Sequence, residues 1–224
     1  MTTPESPLRL AGRLADRRQF LIGAGALAAG AALAACGNDD NDDNNSAADS
    51  TTTIAPDKTA AVPAADLDVA ALAAGLEVLA VQTSTAALGA AKAGKLGEVP
   101  PAVATFVTTA MAQHQEHLDA WNKVLKSNDR PEVDQPDAKL KPTVDAGFAK
   151  VTTAKGAAEL ALQLEEIAAA TYLDAVQKLT TDSAVELAGS IHVIDMQHSA
   201  ILLYVLGKYP VPDVFGQTKK SAAA

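Results

Sequence analysis

From residue 66 onward, apolar positions recur at the three- and four-residue spacing of helices that pack by one face. Leu67, Leu72, Leu76, Leu79 and Ala80 mark a first helix over about Asp66 to Lys92, which Gly94 and Gly97 close. Pro100-Pro101 open a second, running to about Lys126. Ser127 to Pro142 holds three prolines and many charges and reads as a long crossing connection. A short helix over Thr143 to Val151 follows it, then a long third from about Ala154 to Leu179. Ser183-Ala184-Val185-Glu186 has the form of a capping box at the start of a fourth long helix, which ends near Gly207 ahead of Pro210 and Pro212. The pattern predicts an all-α chain: a four-helix bundle with a long crossover connection over residues 66–210, and a C-terminal tail over 211–224.

The pattern ahead of the bundle is different. Residues 1–35 begin with a basic leader ending Arg17-Arg18-Gln19-Phe20-Leu21, and Phe20 to Ala35 are Ala, Gly, Leu, Ile and Phe. That run is too short and glycine-rich for a comfortable membrane span and has the layout of a signal peptide, with an uncleaved amphipathic anchor as the other reading. Arg17-Arg18-Gln19-Phe20-Leu21 resembles a twin-arginine export signal. Leu33-Ala34-Ala35-Cys36 resembles the lipobox of bacterial lipoproteins, which implies lipidation at Cys36 and a protein held on the extracytoplasmic face of the cell membrane. Residues 36–65 then carry six aspartates (39, 40, 42, 43, 49, 57) against Lys58, and are expected to form a disordered acidic tether.

Composition narrows the function classes. Apolar residues make up 48% of the 224, with aromatics at only 4%, a mix suited to close-packed helices. The formal charge is -9, and without residues 1–35 the chain has 14 basic against 25 acidic residues, a net -11. Nucleic acid is therefore not an expected partner. A single cysteine excludes an intramolecular disulfide.

The remaining chemistry lies in histidines and acids on the expected helices. His114 and His117 stand one turn apart on a face shared with Leu118 and Trp121, so both imidazoles should look inward. Two readings are open: core histidines satisfied by hydrogen bonds, or ligands to a metal whose carboxylates come from neighbouring helices. Leu76-Glu77-Val78-Leu79-Ala80-Val81-Gln82-Thr83 and Leu164-Glu165-Glu166-Ile167-Ala168-Ala169-Ala170-Thr171 form a short internal repeat that aligns Glu77 with Glu165, each in an apolar neighbourhood. An ionised carboxylate placed there needs a partner, whereas Glu166, one step round, points outward. Asp195 and His198 lie at i and i+3, and His192, a further turn back, falls at the rim or behind the ligands.

The order Glu77, then His114-Gln115-Glu116-His117, then Glu165, then Asp195-Met196-Gln197-His198 resembles the ligand scheme of ferritin-like bundles that hold two irons or manganeses. The resemblance covers about residues 66–207. It implies a ferritin-like four-helix bundle with Glu77, His114, His117, Glu165, Asp195 and His198 as ligands to iron or manganese, and Tyr172 as a hydrogen-bond donor behind them. The departures are His114 and Asp195, which stand where the family has bridging glutamates. The expectation is therefore one or two transition-metal ions, with a single tightly held ion, or a site favouring zinc, copper or manganese, as alternatives to the full pair. Oxidase-type redox chemistry is one expected role. The alternative is a metal-free helical lipoprotein with a structural or partner-binding role at the cell envelope. A monomer or dimer is expected in place of a closed storage shell.

Overall fold

The computed structural model describes residues 61–223. The leader, Cys36 and most of the acidic tether lie outside them. Among the described residues five helices follow one another: α1 Ala64–Lys92, α2 Pro101–Lys126, α3 Lys141–Phe148, α4 Ala154–Lys178 and α5 Asp182–Val205. The four long ones form the bundle. Among the described residues no helix is long and apolar enough to cross a membrane.

Loop lengths and end-to-end hydrogen bonds fix the topology. Short turns make α1–α2 and α4–α5 antiparallel pairs. The Ala154 N–H donates to the Leu96 carbonyl at 2.9 Å, so α4 starts at the end where α1 stops. At the other end, the Thr180 and Thr181 N–H groups donate to the Asp66 carboxylate at 3.1 and 2.8 Å. Helix α4 is thus antiparallel to α1 and parallel to α2, and the connection from 127 to 153 spans the bundle length. It passes close to α1 at Gly75, whose carbonyl accepts from the Asp137 N–H at 3.0 Å. A Cβ at Gly75 would lie 3.4 Å from that nitrogen, in contact with the crossing connection.

Alanines at 70, 73, 74, 169, 170, 175, 184 and 188 are buried at the helix contacts and let the backbones approach closely. Trp121, Leu125, Tyr172 and Ile191 fill the remaining space. The Trp121 and Tyr172 rings stack with centroids 6.3 Å apart.

Two expected boundaries move, each for a local reason. The short helix starts at Lys141 and ends at Phe148 because Pro142 is tolerated in a first turn, and Asp137 accepts from the Leu140 N–H at 2.8 Å just before it. The Ser183–Glu186 capping box does not form. Helix α5 begins at Asp182 with Thr181 at the N-cap and no side-chain cap bond. Asp66, from the far end of the sequence, holds the Thr180 and Thr181 amides and leaves Ser183 inside the helix. The tail also differs from a simple extension. Its Ala222 N–H donates to Thr171 Oγ1, Ser221 Oγ donates to Asp174, and Lys220 pairs with Glu166.

Candidate metal centre

Each long helix brings one polar patch to the middle of the bundle. Glu77 comes from α1, His114 and His117 from α2, Glu165 from α4, and Asp195 and His198 from α5. Glu77, His114, Glu165, Asp195 and His198 are all buried, with Asp195 at 0% exposure. His117 keeps 12% of its side chain exposed.

His114 is the hub. Its Nδ1 lies 2.8 Å from Glu77 Oε2 and its Nε2 3.2 Å from Glu165 Oε1. His117 Nδ1 stands 3.6 Å from Glu77 Oε1, and His198 Nδ1 3.2 Å from Glu165 Oε1. The rings of His114 and His198 are 5.3 Å apart between centroids, and those of His114 and His117 5.8 Å. Around this centre, Tyr172 donates its hydroxyl hydrogen to Glu77 Oε1 at 2.5 Å and accepts from Trp121 Nε1–H at 3.0 Å. His198 Nε2–H donates to Gln113 Oε1 at 2.7 Å. Phe106 meets the His198 ring edge-on at 5.7 Å.

Burial and pairing pull the titrations apart. Burial would raise Glu77, but hydrogen bonds and charge from His114 and His117 hold it at about 2. Glu165 is likewise raised by burial and lowered further by His114 and His198, ending below its ordinary value. Burial disfavours a charge on His114, yet the two flanking carboxylates win and push it well above its usual value. With both ring nitrogens facing carboxylates, two N–H donors are needed, which only the imidazolium supplies. Asp195 is pushed well up by burial and by the charges of Glu165 and Glu77. Tyr172 is pushed up by burial and by Glu77 and Asp195, and stays a donor.

Two groups of side chains have the composition and spacing to hold an ion: Glu77, His114 and His117, and His114, Glu165 and His198. Within each group one donor atom per residue lies within 4.8 Å of the others. The donor set fits a transition metal on a further ground. Buried His117 Nδ1, Glu165 Oε2, His198 Nδ1 and both Asp195 oxygens have no hydrogen-bond partner among the described residues. Native interiors hold few such groups. Imidazole and carboxylate together suit iron, manganese or zinc. A neutral imidazole has one free lone pair, so His114 serves one group at a time.

Of the residues marked in the sequence, Glu77, His114, His117, Glu165 and His198 converge, and Tyr172 stands behind Glu77 as expected. Asp195 is in the core but in neither group. His192 is turned away, with Nδ1–H donating to the Ala169 carbonyl at 3.0 Å. Gln113 and Phe106 carried no sequence signal. Gln113 sits about 100° round α2 from His114, and only the position of α5 shows what it holds.

No curated protein and no solved structure matches the chain. The family described as "Ferritin-like domain" matches residues 65–208, more than half of the sequence and the whole of the bundle. By that match, and by an all-helical bundle whose mid-section gathers glutamates and histidines from four helices, the chain belongs to the ferritin-like domain family.

Proposed function

We propose that this ferritin-like protein binds iron or manganese in the bundle core, one ion held tightly and a second at most, with oxidase-type redox activity. The observation that carries the reading is the buried set itself: two carboxylates and three imidazoles share one small space, and several of their donor atoms have no hydrogen-bond partner among the described residues. The tightly held ion would sit on Glu77, His114 and His117 or on His114, Glu165 and His198, the two groups that share His114. Tyr172 fixes Glu77, Gln113 fixes His198, and Phe106 with the surrounding aliphatic side chains excludes water. Bound iron or manganese supplies one-electron chemistry toward dioxygen or peroxide. Elemental analysis of protein purified without a histidine tag, after growth with iron and manganese, should find about one ion per chain. Less than about a tenth of an equivalent sinks the reading.

The proposal extends to location. The twin-arginine-like leader and the Leu33-Ala34-Ala35-Cys36 motif support export and anchoring through lipid on Cys36, with the acidic segment as a spacer. A Cys36→Ser variant should move from the membrane fraction to the soluble exported fraction. Unchanged fractionation would remove the anchor. One observation favours a second reading, a metal-free bundle with a structural or partner-binding role: protonated His114 pairs with both glutamates without any ion. A strong chelator separates the two. An unchanged melting temperature supports the metal-free bundle, and a fall supports the metal.

A further inference from the structure

The outward face of α5 is unlike those of α2 and α4. Exposed positions on α2 include Glu116, Asp119, Lys123 and Lys126, and on α4 Lys155, Glu159 and Lys178. On α5 no lysine, arginine, aspartate or glutamate is exposed between Glu186 and Lys208, since Asp195 is buried. The face is apolar instead, with Val193, Ile201 and Tyr204 keeping 53, 43 and 73% of their surface open. Large apolar side chains exposed together mark an interaction surface. The C-terminal tail does not cover them. It lies against α4 and one flank of α5, where a Cβ at Gly216 would meet Leu173 and His192, and the Ala222 N–H donates to Thr171 Oγ1. His192 is about 140° round the helix from Gln197, at the middle of the open face.

The order of residues along this face reads the same from both ends. From Glu186 through Ser190, Val193, Gln197, Ile201 and Tyr204 to Lys208, all exposed, the steps are 4, 3, 4, 4, 3 and 4 residues. Alternating threes and fours are the spacing of a helix-on-helix seam, and the positions from Glu186 to Tyr204 fall within about 40° of Gln197. Lys208 follows in the closing turn, its N–H donating to the Leu203 carbonyl at 2.8 Å. Two copies of α5 laid antiparallel, with Gln197 on the two-fold axis, set Val193 against Ile201 and the small Ser190 against Tyr204. They also set Glu186 against Lys208, and each pairing occurs twice. Among the described residues neither Glu186 nor Lys208 pairs with a charge of its own chain. The formal charge of -9 makes copies repel in most orientations, whereas this one opposes no like charges and joins opposite signs at both ends. Lipid is a poorer occupant. A helix lying in a membrane interface carries lysine or arginine beside its apolar face, and α5 has neither over this span while placing Gln197 at its centre.

We infer that the protein forms an antiparallel two-fold dimer through the outward face of α5. The seam is about 33 Å long and one helix wide, about 10–12 Å. That is less than the roughly 800 Å² per partner of a standard interface, so the dimer is reversible. Sedimentation equilibrium tests it on the full chain carrying Cys36→Ser, which removes the native thiol and any lipid on it. The mean mass should rise from one chain toward two between about 10 µM and about 1 mM. Val193→Asp should weaken association about tenfold or more, and Ile201→Asp does the same if thermal melts show that the first variant folds poorly. Glu186→Lys should weaken it about fivefold, because both symmetry-related pairs become repulsive, and adding Lys208→Glu should return it to within about twofold of the parent. That return distinguishes this register from general stickiness. In the same background Gln197→Cys should oxidise to a linked dimer about ten times faster than Gln163→Cys on α4, since the axis brings position 197 against its own copy. A single-chain mass throughout, equal rates for the two cysteines, or a charge-swapped double variant as weak as Glu186→Lys alone would overturn the dimer. Binding to phosphatidylcholine and phosphatidylglycerol vesicles that Val193→Asp abolishes would overturn it too, by assigning the face to lipid.

Discussion

Replacing His114 with leucine separates two contributions of one imidazole. In the metal-free chain its ring nitrogens face Glu77 Oε2 at 2.8 Å and Glu165 Oε1 at 3.2 Å. His114→Leu leaves both carboxylates buried, at 2% and 6% exposure, without their shared cation. Removing one partner of a buried ion pair costs about 3–5 kcal/mol. Tyr172 still donates to Glu77 and His198 still lies beside Glu165, so the expected loss is at the low end, about 3 kcal/mol. For a domain of this size that is a fall of about 6–12 °C in Tm. The second contribution is to the ion. Manganese at about 100 times its Kd should stabilise the native chain by about 2.7 kcal/mol, and His114→Leu should lose that gain because both candidate groups contain His114. Calorimetry with chelator and with manganese reads both effects. Combining His114→Leu with Glu77→Gln and Glu165→Gln removes the buried charges and should recover most of the metal-free Tm, with no response to manganese. A full manganese shift in His114→Leu would refute the shared ligand. A metal-free loss under about 1 kcal/mol would refute the charge pairing.

Metal-free protein should lose stability as pH rises above about 6.5. The folded value of His114 is raised, so its contribution is complete below its ordinary value and disappears as pH climbs through the raised one. Asp195, also raised, acts in the same direction from a lower pH, its contribution being complete only below its ordinary value of 3.8. On the acid side Glu77 contributes above about 4.5 and loses its contribution as pH falls through about 2. Melting temperature against pH in chelator tests this, and an alkaline limb equally steep in His114→Leu contradicts it. Tyr172→Phe strips a donor from Glu77 and leaves Trp121 Nε1–H without its acceptor, so denaturant titration should show a loss of about 2–3 kcal/mol while metal content holds. Asp66→Ala frees the Thr180 and Thr181 amides and should cost about 1–3 kcal/mol, read the same way. His114→Glu puts a carboxylate where one lone pair stood, and elemental analysis should find the metal content rising from about one ion per chain toward two.

The centre was legible where a residue was out of place in its own helix. Glu77 and Glu165 sit among aliphatic neighbours, and two histidines one turn apart beside a tryptophan point inward, so local periodicity alone placed them in the core. Tyr172, on the helix of Glu165, followed from the family pattern. What escaped depends on distant segments. Asp66 holds amides more than a hundred residues away and overrides the capping box at Ser183. Gln113 reaches His198 only because α2 and α5 lie side by side. Spacing put Asp195 on the same helix face as His198, and it is buried close enough to feel the charges of Glu165, Glu77 and His114, though it joins neither ligand group.

Histidine at position 114 changes what the centre must do when it exchanges its occupant. Without an ion, one protonated His114 faces both Glu77 and Glu165 and offsets one of their two negative charges. To become a ligand, His114 gives up a proton and frees one lone pair, so uptake is tied to proton release. Trp121 donates to the Tyr172 hydroxyl, Tyr172 donates to Glu77, and Gln113 accepts from His198, so none of these bonds uses a nitrogen of His114. A carboxylate at 114 would add a negative charge that no proton on that residue could offset without itself becoming neutral. On the proposed metal reading, an ion taken up there would compete with the His114 proton for the same nitrogen.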